Sequence, residues 1–79
     1  MIPDVIKAVP KKPSFLELQF SNGESRLLDV SNYWNSSFFS QLQKWPYFCQ
    51  VEIRNGTVSW PNEQDIAPET IYLDSKKIN

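Results

Sequence analysis

Phe15-Leu16-Glu17-Leu18-Gln19-Phe20, then Ser21-Asn22-Gly23, then Glu24-Ser25-Arg26-Leu27-Leu28-Asp29-Val30, is the stretch that decides the fold. Leu16, Leu18 and Phe20 alternate with Glu17 and Gln19, the two-residue period of a half-buried antiparallel strand. Asn22-Gly23 turns that strand into a second, Glu24 to Val30. A two-residue loop would set Leu16, Leu18 and Phe20 on the face of Ser25, Leu27 and Asp29. A three-residue loop with Gly23 left-handed instead sets them with Arg26, Leu28 and Val30, and leaves Asp29 outside. The second register joins the apolar ends and is the one expected.

Outward from this hairpin, Ile2 to Val9 reads as a first strand with Pro3 at its edge, and Pro10-Lys11-Lys12-Pro13 as a turn. Asn35, Ser36 and Ser37 are N-cap types before Phe38-Phe39-Ser40-Gln41-Leu42, which predicts a short helix with Phe38 and Leu42 on one face. A turn near Tyr33-Trp34 precedes it, and Pro46 closes it at Trp45. Tyr47 to Ile53 alternates as a strand, with Tyr47, Cys49, Val51 and Ile53 on one face and Gln50 and Glu52 opposite. Asn55-Gly56 then predicts a type I′ hairpin pairing Ile53 with Val58 and Val51 with Trp60, with Arg54 and Thr57 at the wet end. Pro68 suits the first position of a helix of about Pro68 to Leu73, Glu69 its first turn, and Ile71 its buried face. The tail Asp74–Asn79 is expected to fray. The fold class expected is α+β: one domain over residues 1–79, mainly an antiparallel sheet of about five strands with one or two short helices.

At 79 residues the chain buries only about 60% of its unfolded surface, so its three Trp, three Tyr and five Phe matter to stability. Eight basic residues against nine acidic ones give no support for phosphate-backbone binding. One cysteine, Cys49, forbids an internal disulfide and fits a reducing compartment. It falls on the apolar phase of its predicted strand and reads as a buried structural thiol. The N-terminal Met1-Ile2-Pro3-Asp4 has no features of a secretory signal, and no apolar run approaches the roughly 20 residues of a membrane span. A cytoplasmic location without membrane contact is the expectation.

The chemistry is bounded mainly by absences. With no histidine, the usual triads, neutral-pH bases and zinc ligand sets are gone. Gly23 and Gly56 are the only glycines and both are needed in turns, so no phosphate-cradling loop exists. No catalytic, cofactor-binding or metal-ligating residue is assigned, and the expectation is a protein that is not an enzyme and carries no cofactor. The candidate interaction or structural motif is Trp60, Asp65, Pro68, Glu69 and Tyr72. Asp65 and Glu69 could act as an acid–base or cation-binding pair; the plainer reading makes Asp65 a cap and Glu69 a first-turn carboxylate. Trp34, Trp45 and Phe48 are candidate surface aromatics, Phe48 because its phase opposes that of Tyr47 and Cys49. The commoner outcome for such residues is the core.

The pieces Phe20-Ser21-Asn22-Gly23-Glu24, Leu28-Asp29-Val30, Phe39 to Leu42, Gly56-Thr57-Val58 with Trp60, and Asp65-Ile66-Ala67-Pro68-Glu69-Thr70-Ile71-Tyr72 together resemble a family of small bacterial proteins defined only as a domain of unknown function. The resemblance spans nearly the whole chain. Where such relatives often carry Gly after Trp60-Pro61-Asn62, this chain has Glu63, a departure that bears on the turn there. The resemblance implies a compact α+β domain, found alone or joined to a helix-turn-helix domain, and encoded at times beside a small partner as in toxin–antitoxin pairs. No helix-turn-helix segment fits in these residues, and no catalytic residue comes with the family.

Three readings follow. The leading one is a protein-interaction module, an antitoxin-like or accessory member of a two-protein system whose partner is another small protein. Self-association through the edge of the Ile2–Val9 strand is a further possibility. The second is a nucleic-acid-associated regulatory module, although the sequence lacks the basic groove that direct binding needs. The third, and least favoured, is a small-molecule enzyme acting through Asp65, Glu69 or Tyr72.

Overall fold

The computed structural model describes residues 2–79. Met1, the first residue of the segment read for a targeting signal, lies outside them. Among the described residues six strands form two antiparallel sheets: β1 (Val5–Lys11), β2 (Phe15–Phe20), β3 (Ser25–Asp29) and β6 (Lys76–Lys77) in the order β1-β2-β3-β6, and β4 (Glu52–Arg54) with β5 (Thr57–Ser59). Two helices, α1 (Trp45–Phe48) and α2 (Pro68–Asp74), complete a small α+β fold.

The deciding hairpin takes the three-residue register. Leu16 pairs with Leu28 and Leu18 with Arg26. The Phe20 N–H donates to Glu24 O at 2.9 Å, the Gly23 N–H to Phe20 O at 3.0 Å, and Gly23 stands at φ +90°. Leu16, Leu18, Phe20, Leu28 and Val30 consequently share one face and are all buried. The Asn55-Gly56 hairpin has the expected loop, with Ile53 opposite Val58 and positive φ at both loop residues. Its ladder ends at Glu52–Ser59, and the expected pairing of Val51 with Trp60 is not made, since the chain before Glu52 is leaving a helix. Thr57 is not at a wet end, however. It is buried, and its hydroxyl donates to Ile66 O at 2.6 Å, because the chain after β5 folds back over that face.

The first strand begins later than predicted and runs through Pro10, which sits on the outer edge where no ladder donor is required. Between Val5 and Lys7 the register shifts, leaving Ile6 59% exposed. The Val5 N–H is taken by Gly56 O, which ties the two sheets together at 2.9 Å. The expected fraying tail is instead a strand. Lys76 and Lys77 pair with Leu27 and Arg26, and the Asn79 side chain accepts from Ser25 N–H and donates to Gly23 O.

The largest departure lies between Ser31 and Val51. The predicted helix over Phe38–Leu42 is reduced to a 3-10 turn at Ser40–Gln43, with Leu42 buried and Phe38 54% exposed. Pro46 opens α1 instead of closing a helix, standing in the first turn where a missing N–H is harmless. The strand predicted over Tyr47–Ile53 is therefore helical at Tyr47 and Phe48 and extended only from Glu52. The alternation of Tyr47, Cys49 and Val51 lost to a three-residue spacing: Trp45 and Phe48 share a helical face and bring two large rings to the core. Phe48, a candidate surface aromatic, is fully buried, the commoner outcome for such residues, and Cys49 is exposed, the reverse of the buried thiol expected.

Candidate functional site

The segment from Trp60 to Tyr72 begins with a turn that repeats the geometry of the first. Trp60 N–H donates to Gln64 O at 2.9 Å and Glu63 N–H to Trp60 O at 2.9 Å, enclosing Pro61-Asn62-Glu63. Glu63 occupies the left-handed position at φ +66°. Trp60 is fully buried, its ring stacked on Phe48 with centroids 6.1 Å apart, and its indole N–H donates to Phe48 O at 3.0 Å. That carbonyl is available because it ends a helix, where the last carbonyls have no partner within the helix.

Gln64, a residue that sequence reasoning passed over, is the polar centre of this turn and is 1% exposed. Its Oε1 accepts from the Tyr47 hydroxyl at 2.7 Å, and its Nε2 donates to Phe38 O and Gln41 Oε1 at 3.1 and 2.9 Å. The Tyr47 oxygen in turn accepts from Asn62 N–H at 2.8 Å. Each polar atom of the buried amide has a partner, which removes the cost of its burial and fixes the turn against α1. The only sequence signal for it was a polar residue between two turn-forming stretches, which is too common to single out.

Asp65 is exposed and bridges Ser59 through the backbone; it caps nothing. The N-cap of α2 is Ala67, with no side-chain cap, so the expected capping role of Asp65 is corrected. Pro68 is the first residue of the helix and Glu69 lies in its first turn, exposed, as predicted. The five motif residues do not converge. Trp60 sits in the core and Asp65 on the surface, while Tyr72 faces the first hairpin.

Tyr72 belongs to a cluster that the sequence named only in part. Its ring meets Phe20 edge-on at 5.4 Å and carries the Arg26 guanidinium over its face at 4.3 Å. Its hydroxyl donates to Glu24 Oε2 at 2.9 Å, Arg26 Nη1 donates to Glu24 Oε1 at 2.8 Å, and Arg26 Nε donates to Ser75 Oγ at 2.9 Å. The signal was available, since the accepted register turns Arg26 inward beside Leu18, where a charge needs partners. The hydrogen bond from Tyr72, joined by Asn22 and Arg26, outweighs partial burial and holds the Glu24 carboxyl below its ordinary range. The same bond raises the Tyr72 phenol. Tyr33 is raised too, by burial first and then by its hydrogen bond to Asp74. At Asp29 burial acts upward, but hydrogen bonds from Ser31 and Ser14 prevail and lower the carboxyl.

Of the surface aromatics, Trp34 and Trp45 are half-buried and flank Phe48 at 6.4 and 5.7 Å. The aromatic surplus is thus largely a core wedge of Trp34, Trp45, Phe48 and Trp60. Among the described residues no three His, Cys, Asp or Glu side chains gather as a metal site. No helix of the described residues is long and apolar enough to cross a membrane.

What remains open is the other face of the four-stranded sheet. Its rows are Val9, Glu17, Leu27 and Lys76; Lys11, Phe15 and Asp29; and Lys7, Gln19 and Ser25. None of Val9, Phe15 or Leu27 joins the core cluster, which draws on the opposite face, although each is half-buried by its neighbours. Their apolar character in the outward phase is legible in the sequence.

No curated protein and no solved structure matches the chain. Residues 5–77 match the family described as "Protein of unknown function (DUF2442)", and the chain belongs to that family.

Proposed function

We propose that this chain is a non-catalytic protein-interaction module, the antitoxin-like or accessory member of a two-protein system, and that the open face of its four-stranded sheet meets the partner. The observation that carries the reading is the outward row of Val9, Glu17 and Leu27 beside Phe15, bordered by Lys7, Lys11 and Lys76. Apolar side chains within a charged rim are the composition of a transient protein interface. A row of two apolar residues around a carboxylate suits a partner that brings its own cation. The absence of histidine from the sequence and the structural use of Trp60, Gln64 and Tyr72 support a non-catalytic role. The nucleic-acid alternative would use the same face, but Glu17 and Asp29 stand on it and oppose a phosphate backbone.

Co-expression with the product of the adjacent gene, followed by size-exclusion chromatography, tests the proposal. The wild-type chain is expected to co-elute with that protein, and Leu27→Glu and Phe15→Ser variants, shown by circular dichroism to be folded, are expected to elute alone. No shared peak, or a shared peak indifferent to both substitutions, defeats it. Salt-dependent binding of single-stranded DNA or RNA lost in the same variants would establish the alternative instead.

A further inference from the structure

Charge is spread unevenly along the chain. Of its eight basic and nine acidic residues, Lys44 is the one that falls between Ser31 and Val51, a stretch that also holds seven aromatic side chains. Phe48 is buried and five of the others lie half-buried against the core, but Phe38 points outward. Its exposure is not looseness. Phe38 O accepts from Nε2 of the buried Gln64 at 3.1 Å, and its ring meets Phe39 edge-on at 5.2 Å. Phe39 O in turn accepts from the N–H of the buried Leu42 at 3.0 Å. A buried amide thus fixes the backbone beneath an exposed ring, so little conformational freedom is left to lose when that ring is covered. The polar groups of the same surface, Ser36, Ser40, Gln41 and Asn62, are uncharged. Charges stand at its borders: Lys44, Lys12 over the Trp45 ring, Asp74 on the Tyr33 hydroxyl, and Glu63 beside Asn62.

An uncharged aromatic centre within a charged rim is the anatomy of a protein interface, and a rigid aromatic anchor is its usual hot spot. We propose that this lobe pairs with the same lobe of a second copy of the chain about a two-fold axis, with the two Phe38 rings close to the axis. Such a contact sets the residues around its axis against their own copies, so a charge there meets its like. The open sheet face carries Lys7, Lys11, Lys76, Glu17 and Asp29 and is ill suited to meet itself. The Phe38 lobe has no charge at its centre, and its rim of two cations and two anions has no net charge to repel a copy. The edge of β1, the other route to self-pairing, is interrupted by Pro10 and tied at Val5 to Gly56 O. Pairing through the lobe leaves the sheet face free, and it stands whether or not that face binds a partner.

The test is sedimentation equilibrium of the full chain up to about 1 mM, the weak end of specific association, with ¹⁵N–¹H correlation spectra recorded on dilution. A reversible monomer–dimer equilibrium is expected, with dilution shifts at the Ser36, Ser37, Phe38 and Gln41 amides and none at Glu17 or Leu27. Phe38→Ser, shown by circular dichroism to be folded, should weaken pairing at least about thirtyfold, as for a hot-spot truncation. Ser37→Lys keeps the ring and puts a charge into the lobe, and should weaken pairing about tenfold. Raising salt from about 0.05 to 0.5 M should restore part of the Ser37→Lys loss and leave the wild type unweakened. Leu27→Glu on the sheet face and Ile6→Lys on the β1 edge should pair as the wild type does. Leu27→Glu thus separates this contact from the one proposed for the sheet face. A monomer throughout the range, a dimer indifferent to Phe38→Ser and Ser37→Lys, a dimer lost in Leu27→Glu or Ile6→Lys, or a wild-type dimer dissolved by salt overturns the proposal.

Discussion

The turns at 20–24 and 60–64 have one geometry and two chemistries. Each opens on a buried aromatic, Phe20 or Trp60, each has Asn at its second loop position, and each closes with the same pair of backbone hydrogen bonds. They differ at the left-handed position, Gly23 in one and Glu63 in the other. Glycine takes that conformation freely, whereas another residue bears about 1–2 kcal/mol of steric cost. The first turn is thus encoded locally. The second is held by tertiary contacts: the buried Gln64 amide, the Tyr47 hydroxyl on Asn62, and the Trp60 indole on Phe48. A strained residue persists where its surroundings over-determine the backbone.

The comparison breaks most severely at its anchor. Trp60→Ala should cost about 3–5 kcal/mol through the cavity it leaves, and it also leaves the Phe48 carbonyl with the Val51 N–H alone, at 3.3 Å. For a domain of this size that approaches the total stability, so the variant is expected to be largely unfolded by circular dichroism at 25 °C. Gln64→Leu keeps the volume and removes the polar hub, stranding the Tyr47 hydroxyl and the Phe38 carbonyl. A loss of about 1–3 kcal/mol in urea melts is expected.

The turn position itself should respond with opposite signs. Glu63→Gly relieves about 1–2 kcal/mol of strain and gives back about 0.4–1 kcal/mol in unfolded-chain entropy, leaving a net gain. Gly23→Ala meets no atom within 4 Å, so its cost is the backbone conformation alone, about 1 kcal/mol. Equal signs for the two substitutions would end the equivalence of the turns. Asp65→Ala, on the exposed flank, should change stability by less than about 0.5 kcal/mol, as for a surface residue outside any cap.

The first turn carries a pH dependence through Glu24 and Tyr72. Glu24 is lowered from its ordinary value of 4.5, so its contribution to stability is present above that value and is lost as pH falls through the folded-state pKa. Tyr72 is raised from 10.0, so its contribution is full below 10.0 and is lost as pH climbs through the raised value. Glu24→Gln should reduce both arms of a urea-midpoint profile between pH 3 and 11, because it removes the shared partner, while Asp29 keeps part of the acid arm and Tyr33 part of the alkaline one.

How far the sequence could be read follows the same division. The two Asn-Gly hairpins, the start of α2 at Pro68 and the buried Ile71 rest on local rules, and those features stand in the structure. Trp45 to Val51 carried two competing periods within seven residues. The choice between them was made by Trp60, which stacks on Phe48 and needs its carbonyl, a contact twelve residues away. The pairing of Lys76-Lys77 with β3 had no local signature either, since two exposed lysines read as a solvated tail. At the candidate site, Trp60 and Tyr72 were legible as members of the motif, Trp60 as the anchor of the sheet, while Gln64, Glu24 and Arg26 stand out only once the elements are brought together.

The central claim, that the Trp60 turn is a clasp held from within the core, is tested most directly by hydrogen exchange at the three indole N–H groups in one spectrum. The account predicts that the Trp60 indole proton exchanges only with global unfolding, far more slowly than those of half-buried Trp34 and Trp45. Exchange of Trp60 as fast as either of the others would contradict it.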